Sequence, residues 1–241
     1  MTETLSLRAK IEQSTMGAYQ WMIVVMAAIM NLLDGFDVLA LAFTATAIRG
    51  EFGLTGIELG YLLSAGLFGM TAGSLFLAPL ADKIGRRPLL LMAVSLSAIG
   101  MLGSAFISQY QWLGFWRVIT GLGVGGILVG TNVITSEYSS RKWRSFAISV
   151  YAAGFGIGAV LGGMFAVMLQ GEYGWRSVFL AGAILTGLLL VVLFIWLPES
   201  IDFLTSKQPK NAEVRLNLIA KKIGLAGDWK LPEKAEKVKT K

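Results

Sequence analysis

The stretch from Tyr19 to Phe43, YQWMIVVMAAIMNLLDGFDVLALAF, decides how the rest of the chain is read. The hydrocarbon core of a bilayer is roughly 30 Å thick and takes about 20 residues of helix to cross. This run is that long, and its only charges are Asp34 and Asp37. Five further runs of the same kind follow, at about Ile57 to Leu80, Leu89 to Ile107, Trp112 to Ile134, Phe146 to Leu169, and Val178 to Leu197. Short connections separate them. The pattern predicts an all-α membrane protein built as a bundle of six transmembrane helices.

Composition supports this. Of the 241 residues, 55% are hydrophobic and 15% charged, with a mean hydropathy of +0.65, whereas soluble domains carry about 25% charged residues. A soluble core cannot absorb that excess. There is no Cys, so disulfides and thiolate chemistry are excluded, and no His, so imidazole catalysis, metal binding and imidazole proton relays are excluded too. A transported proton would have to ride on a carboxylate. An intramembrane serine protease of the rhomboid type needs a Ser and His pair and is ruled out. The chain therefore reads as no enzyme, with no metal and no cofactor beyond a proton gradient.

The net charge of +6 does not indicate nucleic acid. Eighteen of the 21 Lys and Arg residues fall before span 1, after spans 2 and 4, or in the tail beyond residue 198, all on one side of the predicted bundle. Only Arg49 and Arg176 fall on the other side, and Arg117 lies inside span 4. Basic residues accumulate on the cytoplasmic side, so both termini are expected there, in a multi-pass protein of the cell (inner or plasma) membrane. Residues 1–18 form a cytoplasmic segment with no cleavable signal peptide, 19–197 the bundle, and 198–241 a cytoplasmic linker. The linker carries one amphipathic helix from about Asn211 to Ile223 and ends in about a dozen disordered residues.

Polar residues inside the spans are the functional candidates. Asn31, Asp34 and Asp37 recur every three residues and fall near one face of span 1. An Asp at the centre of a membrane helix costs roughly 2.5 to 3.5 kcal/mol, and such residues usually face a polar cavity on an ion or substrate path. The plainer alternative is an Asp at the membrane edge or a hydrogen-bonded neutral side chain. Two neighbouring carboxylates also resist simultaneous ionisation, which suits a proton site. Arg117, near the start of span 4, is either an interfacial snorkelling residue or a partner for Asp34, Asp37 or a substrate carboxylate. Gly154, Gly158 and Gly162, with Gly156 and Gly163 beside them, and Gly69 with Gly73, mark close helix packing.

The connection Ala81-Asp82-Lys83-Ile84-Gly85-Arg86-Arg87-Pro88 resembles the loop motif of the major facilitator superfamily, with Ala78 where that motif opens on Gly. Asp34-Gly35-Phe36-Asp37 is similar to the span 1 signature of the aromatic acid:proton symporters within that superfamily. Arg117 with its following glycines, Ser136-Glu137-Tyr138 with Arg144, Gly174-Trp175-Arg176 and Leu197-Pro198-Glu199-Ser200 agree with it, so the likeness covers residues 20 to about 203. The resemblance implies a proton-coupled importer of small aromatic carboxylates such as benzoate or hydroxybenzoate. It implies proton or substrate roles for Asp34, Asp37 and Arg117, beside Asn31. It places Asp82, Gly85, Arg86, Arg87, Glu137 and Arg144 in a cytoplasmic gating network. Span 5 lacks the Gly-Pro of the drug antiporters, which favours uptake. The superfamily normally has twelve helices in two bundles, so a second six-helix bundle is expected, as a missing C-terminal half or a partner chain. Alternatives are a transporter of another organic anion or a sugar, and a non-transporting six-helix partner protein.

Overall fold

A computed structural model describes residues 7–225 and 227–231. In chain order the helices are α1 (Leu7–Gln13), α2 (Ala18–Phe52), α3 (Gly56–Ile84), α4 (Arg86–Ala105), α5 (Tyr110–Tyr138), α6 (Arg144–Tyr173), α7 (Arg176–Trp196), α8 (Ile201–Lys207) and α9 (Ala212–Ile223). Helices α2 to α7 are the six apolar spans, so this is a multi-pass membrane protein. Several run well beyond the predicted limits. At 1.5 Å per residue the 35 residues of α2 reach about 50 Å, because hydropathy marks only the part of a helix inside hydrocarbon.

Local signals set the helix ends. Gln20 Oε1 accepts the Gly17 N–H at 2.8 Å and closes the start of α2. Thr55 and Glu58 form a capping box on α3, with the Thr55 N–H held by Glu58 Oε2 at 2.8 Å. Between α3 and α4 the chain turns through Gly85 at φ +104°, a backbone conformation that favours glycine.

Helix α3 lies on α5 as α6 lies on α2, while α4 packs on both α5 and α7. Each group of three consecutive spans thus lends its middle helix to the first helix of the other group. Glycines make both seams. A Cβ on Gly69 or Gly73 would strike the backbone of Val118 or Leu122 in α5, and one on Gly158 or Gly154 the backbone of Leu32 or Ala28 in α2. Gly162 and Gly163 instead face the rings of Phe36 and Phe43, and Gly156 faces open space.

Helices α2 and α5 sit deepest, whereas α3 and α6 are the most exposed. Tyr61, Phe68 and Phe76 of α3 and Val160, Met164 and Met168 of α6 are all more than 60% exposed. At the end carrying both chain termini, the segments flanking the bundle fold onto it. Leu7 and Ile11 of α1, Leu204 of α8 and Leu216 of α9 are buried in one cluster with Leu193, Leu197 and Tyr138, and Arg8 pairs with Asp202. The amphipathic pattern over 211–223 forms α9, whereas α1 and α8, each of seven residues, are too short for periodicity to reveal. The disorder expected at the chain end concerns residues that from 232 onward lie outside the description, as does the N-terminal segment before residue 7.

Candidate functional site

All four polar residues singled out within the spans are buried: Asn31, Asp34, Asp37 and Arg117 are each 3% exposed or less. Arg117 is thus no snorkelling residue. One turn separates Asp34 from Asp37 on α2, yet the structure gives them different surroundings. Asp37 Oδ2 accepts a hydrogen bond from Ser97 Oγ of α4 at 2.5 Å, while Oδ1 is unpartnered among the described residues. Asp34 Oδ2 is likewise buried without a partner. Asn31 Nδ2 donates to the Tyr151 carbonyl at 2.9 Å and ties α2 to α6.

Arg117 does not pair with either carboxylate. Its Nη2 is 3.0 Å from each of Ser104 Oγ, Thr120 Oγ1 and Met101 Sδ, and its Nη1 approaches the Asp37 backbone carbonyl at 3.4 Å. The Phe179 ring lies 4.9 Å from its Cζ, within range of a cation–π contact. Neutral acceptors and an aromatic face orient the guanidinium. Its charge remains uncompensated by any ion pair within 4.0 Å among the described residues.

Asp37 and Arg117 meet on the wall of one cavity of about 160 Å³ between α2, α3 and α5. Thr120 is the third polar group there. Val38, Leu41, Leu62, Leu67 and Val124 supply much of the apolar wall. Asp34 and Asn31 do not line it. An apolar chamber with one cation, one carboxyl group and one hydroxyl on its wall can take a small, flat, anionic molecule. Among the described residues no group of three His, Cys, Asp or Glu side chains is placed to hold a metal.

At the end bearing the termini, the residues expected to act as one network divide into three sets. Arg86 pairs with Asp82 at 2.7 Å. The backbone N–H groups of Arg86 and Arg87, which open α4, donate to Glu199 Oε1 at 2.7 and 3.0 Å. That carboxylate occupies the space a Cβ on Gly85 would need. Glu137 instead caps α8, accepting from Ser200 Oγ and the Ile201 N–H at 2.8 Å each. Arg144 pairs with Glu12 of α1 at 2.7 Å, and this hydrogen bond holds the Glu12 carboxyl below its ordinary value. Arg87 Nη2 donates to the Phe194 carbonyl at 2.6 Å.

Sequence reasoning did not single out Ser97, Ser104, Thr120, Glu12 or Glu199 as site residues. Glu199 carried a signal, as an acid just past the end of a helix, but its target lies 112 and 113 residues away. Nothing in the sequence distinguishes Ser97 from other serines in apolar runs.

Six helices long and apolar enough to cross a membrane, with a cavity among α2, α3 and α5 that carries a cation and a carboxyl group, make a polytopic membrane-protein fold. The chain belongs to the Major Facilitator Superfamily, whose family model matches residues 26–230, a family of transporters and not of enzymes. It is 34% identical over 234 residues to the 4-hydroxybenzoate transporter PcaK of Pseudomonas putida, covering 96% of this chain and 52% of that protein. Identity to the gallate transporter of Pseudomonas putida is 35% over 204 residues, covering 85% and 45%. The proton:xylose symporter XylE bound to 6-bromo-6-deoxy-D-glucose shares the fold, with a TM-score of 0.75 at 23% identity over 85% of this chain and 51% of that one. The chain spans about half the length of the curated relatives it matches.

Proposed function

We propose that this chain is the substrate- and proton-binding half of an importer that moves small aromatic carboxylates together with protons. The observation that carries the proposal is the apolar cavity lined by Asp37 and by Arg117, which has no ion-pair partner among the described residues. Arg117 attracts the substrate carboxylate, the aliphatic walls accept its ring, and Asp37 takes up the proton. Asp34, buried with its Oδ2 unpartnered among the described residues, is a second proton position. The relatives named for 4-hydroxybenzoate and gallate support the aromatic acid class.

The partner is a second six-helix bundle seated on the exposed face of α3 and α6, and alternating access comes from rocking one bundle against the other. The Asp82–Arg86 pair and the Glu199, Glu137 and Arg144 contacts lie within this bundle and stiffen its chain-terminal end, so that it moves as one body in the gating step. With fourteen of the described basic residues on that side against Arg49 and Arg176 on the other, it faces the cytoplasm of a cell membrane.

The test is accumulation of radiolabelled 4-hydroxybenzoate and benzoate by cells making this half together with a second bundle. Uptake should collapse with a protonophore. Asp37→Asn and Asp34→Asn should each abolish accumulation, and normal proton-driven accumulation by both variants would overturn the assignment. Uptake of aliphatic acids or sugars in place of aromatic acids would move the substrate class. Stable association with a complete transporter, without any uptake, would favour a non-transporting partner role.

A further inference from the structure

A second cavity, of about 210 Å³, is lined by the start of α2, the end of α7 with the residues just after it, and α9. Its wall includes Tyr19, Arg87, Trp196, Arg215, Leu218 and Lys222. Three of these are cations. Among the described residues neither Arg215 nor Lys222 lies within 4.0 Å of a carboxylate; Lys222 rests over the Tyr19 ring at 5.3 Å. Arg87 is held in place by the Phe194 carbonyl, a neutral acceptor. The carboxylate on the wall, Glu199, is turned onto the N-terminus of α4, where Oε1 accepts the N–H groups of Arg86, Arg87 and Ser200. The mouth of the cavity therefore presents unbalanced positive charge.

Below it, on α7, an apolar stripe runs back toward the middle of the membrane. Ile184, Leu188, Val191 and Ile195 recur at helical spacing on one face, each more than half exposed. Ile195 also lines the cavity, so the stripe and the cationic mouth are continuous. Tyr19 and Trp196 line the cavity where stripe and mouth meet, and aromatic residues of this kind favour the headgroup layer. A free anion would use the mouth alone. A molecule with an anionic head and hydrocarbon tails fits both parts at once.

The geometry points to a binding site for one anionic phospholipid, its phosphate held by Arg215, Lys222 and Arg87 and its acyl chains lying along the α7 stripe. Bound this way, the lipid ties α9 to the end of α7 and fixes where the segment after the bundle crosses the membrane surface. The site is separate from the Asp37 and Arg117 cavity, and its test needs no transport.

The full chain, purified in mild detergent, is titrated with phosphatidylglycerol or phosphatidylcholine and bound lipid is counted by native mass spectrometry. Phosphatidylglycerol should be retained in preference to phosphatidylcholine, with about one tight site. The Arg215→Gln/Lys222→Gln double variant should lose about thirtyfold in phosphatidylglycerol affinity, a factor of roughly five for each charge brought up to an anionic headgroup. Lys207→Gln/Lys221→Gln removes the same charge outside the cavity and should lose much less; circular dichroism checks that both variants remain folded. Equal losses in the two would overturn the proposal in favour of diffuse surface attraction. Displacement of the lipid by millimolar inorganic phosphate would overturn it in favour of a free-anion site.

Discussion

Replacing Gly158 with alanine should push α6 away from α2, whereas Gly156, two residues earlier on the same helix, should accept the same methyl group unopposed. At Gly158 the new Cβ would run into the carbonyl of Leu32, with that residue's carbonyl carbon and Cα close behind; at Gly156 nothing lies within 4 Å. A helix backbone cannot rotate aside as a side chain can, so the strain belongs at the upper part of the roughly 1 to 3 kcal/mol seen for overpacked cores. Alanine recovers up to about 1 kcal/mol of helix propensity at either position. Gly158→Ala should therefore lose about 2 kcal/mol and Gly156→Ala gain up to about 1. Gly35, whose own Cβ would meet the Phe155 carbonyl across the seam, should resemble Gly158. The double variant Gly35→Ala/Gly158→Ala should cost less than the two singles together, because the first substitution already parts the helices. The assay is equilibrium unfolding of the purified chain in mixed micelles, followed by tryptophan fluorescence and circular dichroism. Equal destabilisation at 156 and 158, or a neutral Gly158→Ala, would refute the packing argument.

Other outcomes follow from the charged contacts. Glu199→Gln keeps the shape of the side chain but removes the anion from the start of α4, and should lower stability by about 1 to 2 kcal/mol in the same unfolding assay. Gly85→Ala should lower it too, since it adds strain at φ +104° and displaces the same carboxylate. Arg117→Lys keeps the charge but not the planar fork that reaches Ser104 and Thr120 together. Uptake measured as a function of substrate concentration should show an apparent affinity reduced by tenfold or more. Glu12 has its folded-state pKa depressed by its hydrogen bond with Arg144, so the contact is fully present at neutral pH and is lost only as pH falls below 4.5 through the depressed value. Hydrogen-exchange protection over residues 7–13, corrected for the intrinsic rate at each pH, should fall in that acid range, and Arg144→Gln should lower it already at neutral pH, leaving only the acid response of the Arg8–Asp202 pair.

The six spans and the sidedness of their basic residues were legible because the bilayer imposes length and apolarity on a helix one span at a time. Packing glycines were legible as a class. The structure then separates Gly158, against the backbone of Leu32, from Gly156, which touches nothing, and spacing alone does not make that distinction. Asp34, Asp37 and Arg117 were conspicuous because charge in hydrocarbon is costly. Their roles in the site were less visible. Spacing treats Asn31, Asp34 and Asp37 alike, yet Asp37 alone of the three lines the cavity, because α3 and α5 close over its part of α2 while the carbonyls of α6 take up Asn31.

The amino-acid sequence by itself determined that this chain crosses a membrane six times, that it carries buried carboxylates and a buried arginine, and that histidine and cysteine chemistry are closed to it. These follow from composition and period, which act locally along the chain. Only the tertiary structure decided that Arg117 is held by neutral groups and not by an aspartate, that Glu199 caps α4, that Glu137 caps α8, and that α1, α8 and α9 gather over one end of the bundle. Each of these joins side chains to groups from distant parts of the chain or depends on how a neighbouring helix is rotated. The choice of partner for a buried charge is set by that rotation, to within the reach of a hydrogen bond, and no local pattern encodes it.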